Sequence, residues 1–105
     1  RLENRLAGMD CNPYLGIAAS LACGYMGLMN EVRPDRQFKG DAYDGEGEIP
    51  RVLGQALDLF DGATDLHDIL GPEFARVYSI VKRAEYEEFL QVISPWEREH
   101  LLINV

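Results

Sequence analysis

Three charged side chains at the start of the chain have the types and the spacing of a site for phosphate and a divalent metal ion. Arg1, Glu3 and Arg5 occupy every second position of the segment RLENRL. Alternate side chains of a strand point to the same face, so all three would lie on one side of an extended segment. Arginine presents paired donors to phosphate or carboxylate oxygens, and Mg²⁺ prefers carboxylate ligands.

A simpler interpretation of this segment is a solvated edge strand whose charged side chains pair with one another. The alternation alone favours this interpretation, because the pairing needs no ligand.

Other candidates for chemistry are weaker. His67 and His100 are far apart and are predicted to be ordinary histidines on helix surfaces. The sequence contains no P-loop, no GxGxxG motif and no HExxH motif.

The segment that follows predicts a long helix from about Pro13 to Met29. Asn12 before Pro13 suits an N-cap residue with proline at the first helical position. No charged residue occurs from Cys11 to Asn30, a stretch of 20 residues that is long enough to span a membrane. Its asparagines, proline and glycines, and the absence of aromatic or basic flanks, argue against a membrane helix. We therefore predict a helix buried on all sides in a larger protein.

Small residues recur on this helix at a spacing of four, which forms a stripe where another backbone can approach closely. They are Gly16, Ser20 and Gly24.

Cys11 and Cys23 have no histidine or cysteine nearby at zinc-ligand spacing. They are predicted to be reduced, buried thiols of a cytosolic protein.

The second half of the chain predicts a loop followed by three helices and a final helical turn. Residues 31–50 contain Pro and Gly at positions that prevent regular structure, and Tyr43 lies among acidic residues there. Helices are predicted over residues 51–60, over residues 66–70 and from Pro72 onward. Arg83 and Glu87 are predicted to pair along the last of these. Ser94, Pro95 and Glu97 predict a capping box at the final turn.

The overall charge narrows the classes of partner. The 105 residues include 10 Lys and Arg against 18 Asp and Glu, for a net charge of −8. Such a chain repels phosphate backbones and anionic lipid, so nucleic acid and membranes are not expected partners. The chain begins with Arg1 rather than Met and has no visible signal peptide, and we expect it to be a piece of a longer cytoplasmic protein.

The string RLENRLAGMDCNPYLGIAASLACG resembles the glutamine synthetase family signature, in which R-[IL]-E-x-R precedes a turn with A/D-x-N-P-Y-L and an Ala-rich helix. The segments GDAYD…IP, LGQALDLF, LGPEFARVYSIVKRAEYEEF and SPWEREHLLINV follow in the family's order. The resemblance extends over essentially all 105 residues. It implies a mainly α chain with one short N-terminal strand, forming the C-terminal helical part of an α+β catalytic domain.

The resemblance also implies roles for the three charged residues. Glu3 matches a metal-ligand glutamate, Arg5 an arginine that holds the reacting γ-carboxyl of glutamate, and Arg1 an arginine at the nucleotide phosphates. Members of the family use ATP with Mg²⁺ or Mn²⁺ to couple glutamate to ammonia or an amine. They build their active sites between adjoining subunits of a homo-oligomeric ring.

Some features depart from the classical pattern. Asn4 stands where an aliphatic residue is common, and the tail SPWEREHLLINV is more similar to the branch that ligates polyamines, including putrescine. Tyr43 lies where some bacterial relatives carry an adenylylated tyrosine, although its neighbours differ from that motif. Residues 1–105 are therefore expected to be one incomplete part of a ligase, inactive alone. A free-standing helical interaction module and a small membrane-anchored protein are the alternatives.

Overall fold

Helices account for most of the computed structural model, which describes residues 3–34, 39–41 and 49–102. Five helices occur in this described part. They are α1 (Pro13–Met29), α2 (Leu53–Gly62), α3 (Thr64–Leu70), α4 (Pro72–Leu90) and α5 (Pro95–His100). The prediction of a mainly α chain is confirmed.

The predicted N-terminal strand is not formed at residues 3–6, which are the part of it that the structure describes. Residues 3–6 have no regular secondary structure, and no strand occurs elsewhere in the described ranges. A strand forms only where a second strand satisfies its backbone groups, and these ranges offer none. Local bonding takes over instead, since Oδ1 of Asn4 accepts a hydrogen bond from the Leu6 N–H at 3.0 Å.

Helix α1 has the bounds predicted from its caps. The Asn12 side chain accepts hydrogen bonds from the N–H groups of Tyr14 at 3.0 Å and Leu15 at 3.4 Å. These bonds satisfy amides that have no partner within the helix. At the other end, Glu31 adopts a left-handed conformation with φ 51°, and the Val32 N–H donates to the Gly27 carbonyl at 2.9 Å.

The next three helices follow one another with almost no connecting loop. Helix α2 begins two residues later than predicted and ends at Gly62. Helix α3 begins at Thr64, two residues earlier than predicted, and no side chain caps it. Gly71, with φ 94°, then turns the chain directly into Pro72 at the start of α4. This φ lies in the region that glycine adopts without a steric cost.

Helix packing in the described part joins α2 to α4, and α3 to both α1 and α4. The side chains buried at these contacts are Ala22, Leu57, Ala75 and Ser79. Three of the four are small, which lets the helix backbones approach one another. This core is too small to cover the apolar residues of α1, and Leu21 and Leu28 are 69% and 79% exposed.

Two predictions about individual side chains are wrong. Cys11 and Cys23 are free as predicted but exposed rather than buried, because α1 and the turn before it are covered on only part of their surface. Arg83 does not pair with Glu87 on its own helix. It reaches across to α2 and donates to Asp58 at 2.9 Å and to Asp61.

The capping box predicted at α5 is confirmed. Ser94 Oγ accepts from the Glu97 N–H at 3.2 Å, and the Glu97 carboxylate accepts from the Ser94 N–H at 2.7 Å. Hydrogen bonding of the Glu97 carboxylate to the Ser94 backbone, and then to the Ser94 side chain, favours the ionised form and lowers the pKa of Glu97. Among the described residues, no helix has the length and apolar character needed to cross a bilayer.

Candidate functional site

Two of the three predicted site residues, Glu3 and Arg5, pair with each other beside α1. Arg5 Nε donates a hydrogen bond to Glu3 Oε1 at 2.6 Å. The side chains are 86% and 52% exposed, respectively, so both are open to a ligand. Arg1 lies outside the described residues. The structure therefore brings Glu3 and Arg5 to one side of the chain, as the alternation predicts, although the segment is not a strand.

Asn4, between the two charged residues, ties this segment to α1. Its Nδ2 donates to Ser20 Oγ at 2.9 Å, and Ser20 Oγ donates to the Gly16 carbonyl at 2.8 Å. Sequence reasoning assigned Ser20 only to packing and noted Asn4 only as a departure from the family pattern. The sequence contained one signal for this contact. In an alternating segment, a residue between Glu3 and Arg5 points away from the face that those two residues share.

A groove separates residues 3–7 from the helix and has a volume of about 780 Å³. The small residues of α1 form its floor, and Glu3 and Arg5 lie at its edge. A Cβ atom added at Gly16 would lie 3.9 Å from the Ala7 Cβ, and one added at Gly24 would meet nothing within 4 Å, so the groove is open above these residues. The predicted stripe of small residues therefore lies beneath the candidate site.

No group of three or more His, Cys, Asp or Glu side chains comes together in residues 3–34, 39–41 and 49–102. Mg²⁺ is commonly held by one or two carboxylates together with water and substrate phosphates. Glu3 fits as one such hard oxygen ligand, and further protein ligands would have to come from other parts of the polypeptide.

A second cleft of about 740 Å³ lies between α1, α2, α3 and α4. Its wall is largely apolar and includes Phe60, Phe74 and Tyr78, with an ion pair between Lys82 and Glu85 at 2.6 Å. The two rings of Phe60 and Tyr78 meet edge to face at 5.5 Å. The free thiol of Cys11 also lines this cleft, but the largely apolar wall gives it the character of a packing surface.

The two histidines lie apart from the candidate site. His67 is partly buried rather than on the surface, since its Nε2 donates to the Phe60 carbonyl at 2.7 Å and its ring lies 4.8 Å from the Phe60 ring. The prediction of a surface histidine is therefore wrong for His67. His100 is exposed and stacks on Trp96 at 4.8 Å.

Comparison with known proteins places these features in a family. The sequence profile of the catalytic domain of glutamine synthetase matches residues 1–101. The chain belongs to the glutamine synthetase family. The residues matched by this glutamine synthetase domain include the Glu3–Arg5 segment, the groove beneath it and helices α1 to α5.

Several curated glutamine synthetase relatives match nearly the whole chain. A type-1 glutamine synthetase from Dictyostelium discoideum is 34% identical over 97% of the chain. A glutamate–isopropylamine ligase from Pseudomonas is 35% identical over 92%, and a gamma-glutamylputrescine synthetase from Escherichia coli is 36% identical over 99%. The chain spans only 21–22% of the length of these three proteins. No solved structure gives a significant match.

Proposed function

We propose that this chain acts as the C-terminal segment of an ATP-dependent glutamate–amine ligase and is inactive by itself. The observation that carries the proposal is the match of residues 1–101 to the glutamine synthetase catalytic domain, with the Glu3–Arg5 pair in its first residues. The chain covers about a fifth of the relatives' length. The remaining metal ligands and most substrate contacts would then come from the rest of the polypeptide and from neighbouring subunits of a homo-oligomer.

The proposed reaction has two steps. An oxygen of the glutamate γ-carboxylate attacks the γ-phosphorus of ATP, and ADP leaves with the electrons of the broken P–O bond. The nitrogen of ammonia or an amine then attacks the carbonyl carbon of the acyl phosphate. Inorganic phosphate leaves and the amine loses a proton, so the product is a γ-glutamyl amide. Both steps move negative charge onto oxygen atoms, which positive groups held in place stabilise.

Each of the three N-terminal residues has a part in this proposal. The Glu3 carboxylate would hold Mg²⁺ or Mn²⁺, which supplies charge neutralisation at the phosphates when bound. The Arg5 guanidinium would bind the γ-carboxyl and its phosphorylated form through paired donors, and Arg1 would bind nucleotide phosphates. The Glu3–Arg5 pair is largely exposed, so water competes with it and Arg5 can exchange Glu3 for a substrate oxygen at little cost.

The acceptor is proposed to be an amine from the range that the relatives' names describe. One name gives isopropylamine as a substrate. The others give gamma-glutamylethanolamide, gamma-glutamylputrescine and glutamine as products. The C-terminal segment SPWEREHLLINV favours a polyamine acceptor such as putrescine. Ammonia is the second candidate acceptor.

The test is phosphate release by the complete polypeptide that contains this chain, with ATP, glutamate and Mn²⁺. Ammonia, putrescine, isopropylamine and ethanolamine are compared as acceptors, and the γ-glutamyl product is identified by mass spectrometry. Glu3→Gln and Arg5→Lys are each expected to lower kcat/KM about 100-fold or more, because a charge or a paired donor is lost at the reacting phosphate. Arg76→Lys is the control, because Arg76 also pairs with a carboxylate, Glu73, but lies on α4.

Two results would contradict the proposal. One is the absence of phosphate release that depends on both glutamate and an amine. The other is an equal loss of activity in Arg5→Lys and Arg76→Lys, which would mean that Arg5 has no special part in the reaction.

A free-standing interaction module is the second candidate, favoured by the exposed apolar side chains of α1. An antibody against this chain distinguishes the two by the size of the native polypeptide in cells. A band at several times the mass of the 105-residue chain favours the ligase. A band at the mass of the 105-residue chain favours the module.

A further inference from the structure

The segment that carries Glu3 and Arg5 has no neighbouring strand to hold it among the described residues. A ligand site needs its side chains held within a fraction of an ångström of the productive geometry. An exposed segment without regular structure does not meet this requirement by itself. Some tertiary contact must therefore restrict the backbone between these two residues.

Asn4 provides such a contact through both ends of its side-chain amide. Its Oδ1 accepts from the Leu6 N–H at 3.0 Å, which fixes the turn after Arg5. Its Nδ2 donates to Ser20 Oγ at 2.9 Å, which joins the segment to a helix 16 positions later. A single side chain thus connects the local backbone conformation to α1.

Ser20 is itself oriented by the helix. Its hydroxyl donates to the Gly16 carbonyl at 2.8 Å, so the oxygen lone pairs face the N-terminal segment and accept from Asn4. Ser20 is partly buried, whereas Asn4 is exposed. The helix therefore offers an oriented acceptor, and Asn4 is the exposed partner that donates to it.

We propose that Asn4 and Ser20 form a clamp that positions Glu3 and Arg5 for metal and substrate. This inference rests on the proposed ligase function. The clamp residues touch neither metal nor substrate. They act through the backbone, because Asn4 lies directly between the two site residues and donates to Ser20 while Arg5 donates to Glu3. Groups that orient a metal ligand commonly change metal affinity when they are removed.

The test measures Mn²⁺ binding to the complete polypeptide by electron paramagnetic resonance, together with the Mn²⁺ dependence of activity. Asn4→Ala and Ser20→Ala are each expected to raise the half-saturating Mn²⁺ concentration roughly tenfold. The double variant is expected to be no worse than the weaker-binding single variant, because both changes remove the same hydrogen bond. Ser20→Thr keeps a hydroxyl that can bond to the i−4 carbonyl and should restore the wild-type value.

Ser79→Ala is the matched control for a general loss of stability. Ser79 also donates a side-chain hydrogen bond between elements, to Asp61, but lies at the contact of α4 with α2. This variant should lower the melting temperature without changing the half-saturating Mn²⁺ concentration. A change of less than about twofold in Ser20→Ala would overturn the clamp, as would single effects that multiply in the double variant.

The test of the clamp can succeed or fail independently of the test of the ligase proposal. If the wild-type polypeptide forms no γ-glutamyl amide, the proposed function fails. The Mn²⁺ titration and the hydrogen exchange of the peptide covering residues 3–11 still test the clamp. Faster exchange in Ser20→Ala with weaker Mn²⁺ binding would support it, and unchanged exchange and binding would overturn it.

Discussion

The Ser79 hydroxyl donates a 2.5 Å hydrogen bond to Oδ1 of Asp61, across the contact between α4 and α2. Arg83, one helical turn further along α4, donates to the other carboxylate oxygen of Asp61 and to Asp58. Asp61 thus accepts from two side chains of the neighbouring helix. These bonds join the two helices beside a core in which Leu57 is the one large buried side chain among the described residues.

Acid should weaken this connection between α2 and α4. Hydrogen bonds from Ser79 and then Arg83 favour the carboxylate and lower the pKa of Asp61 below its ordinary value of 3.8. The stability that the carboxylate contributes is therefore complete above the unfolded pKa of about 3.9 and is lost as the pH falls through the lower folded pKa. We expect Asp61→Asn to melt a few degrees lower than wild type at pH 7 and to lose less stability as the pH falls below about 4.

The comparison is made by circular dichroism at low protein concentration, with Asp58→Asn as the control. Within the described ranges Asp58 accepts from Arg83 alone, and its side chain is 73% exposed, so its replacement should have the smaller effect. Equal acid sensitivity of wild type and Asp61→Asn would contradict the prediction.

Leu57 should be the most costly apolar residue of α2 to truncate. It is 3% exposed, whereas Leu59 on the same helix is 62% exposed. Leu57→Ala is expected to lower the free energy of unfolding by about 2 kcal/mol or more, because it removes buried methyl groups and leaves a cavity. Leu59→Ala should change it by less than about 0.5 kcal/mol. Urea titration of both variants measures the difference, and similar losses would mean that α2 packs through another face.

Glu31 should be replaceable by glycine with a gain in stability. Its φ of 51° lies in the left-handed region, where the Cβ atom of an L-residue is crowded. Glu31→Gly removes that crowding and is expected to raise the free energy of unfolding by up to about 1 kcal/mol. Asn30→Gly serves as the control, since Asn30 has φ −91° and gains nothing from glycine. A melting temperature that falls in Glu31→Gly would count against this account of the end of α1.

Self-association of the isolated 105-residue chain should depend on one face of α1. Exposed apolar side chains recur there at spacings of three and four, and we call them the apolar stripe. Its members are Tyr14, Ile17, Leu21, Tyr25 and Leu28. The chain is expected to form oligomers or aggregates, because a contiguous exposed apolar surface associates.

The test is light scattering coupled to gel filtration. Replacing both Ile17 and Leu21 with Glu should shift the chain toward monomer. Met9→Glu adds a like charge at a fully exposed residue outside the stripe and should leave the association unchanged. A monodisperse wild-type monomer with a cooperative melt would disprove the prediction.

The sequence by itself determined the elements whose causes are local. Asn12 with Pro13 defined the start of α1, and Ser94 with Glu97 defined the capping box, because in each case the bonded groups lie within three residues. The pairing of Glu3 with Arg5 likewise follows from a spacing of two. Residue identity was enough here, since the chain between donor and acceptor has few alternative conformations.

Only the tertiary structure decided which distant groups meet. Arg83 pairs with Asp61 across 22 positions rather than with Glu87, and Asn4 meets Ser20 across 16. These choices depend on how the helices pack, because a long side chain can reach several carboxylates at similar cost and the packing selects among them. The missing strand at residues 3–6 has the same origin, since a strand is stabilised by a partner rather than by its own residues.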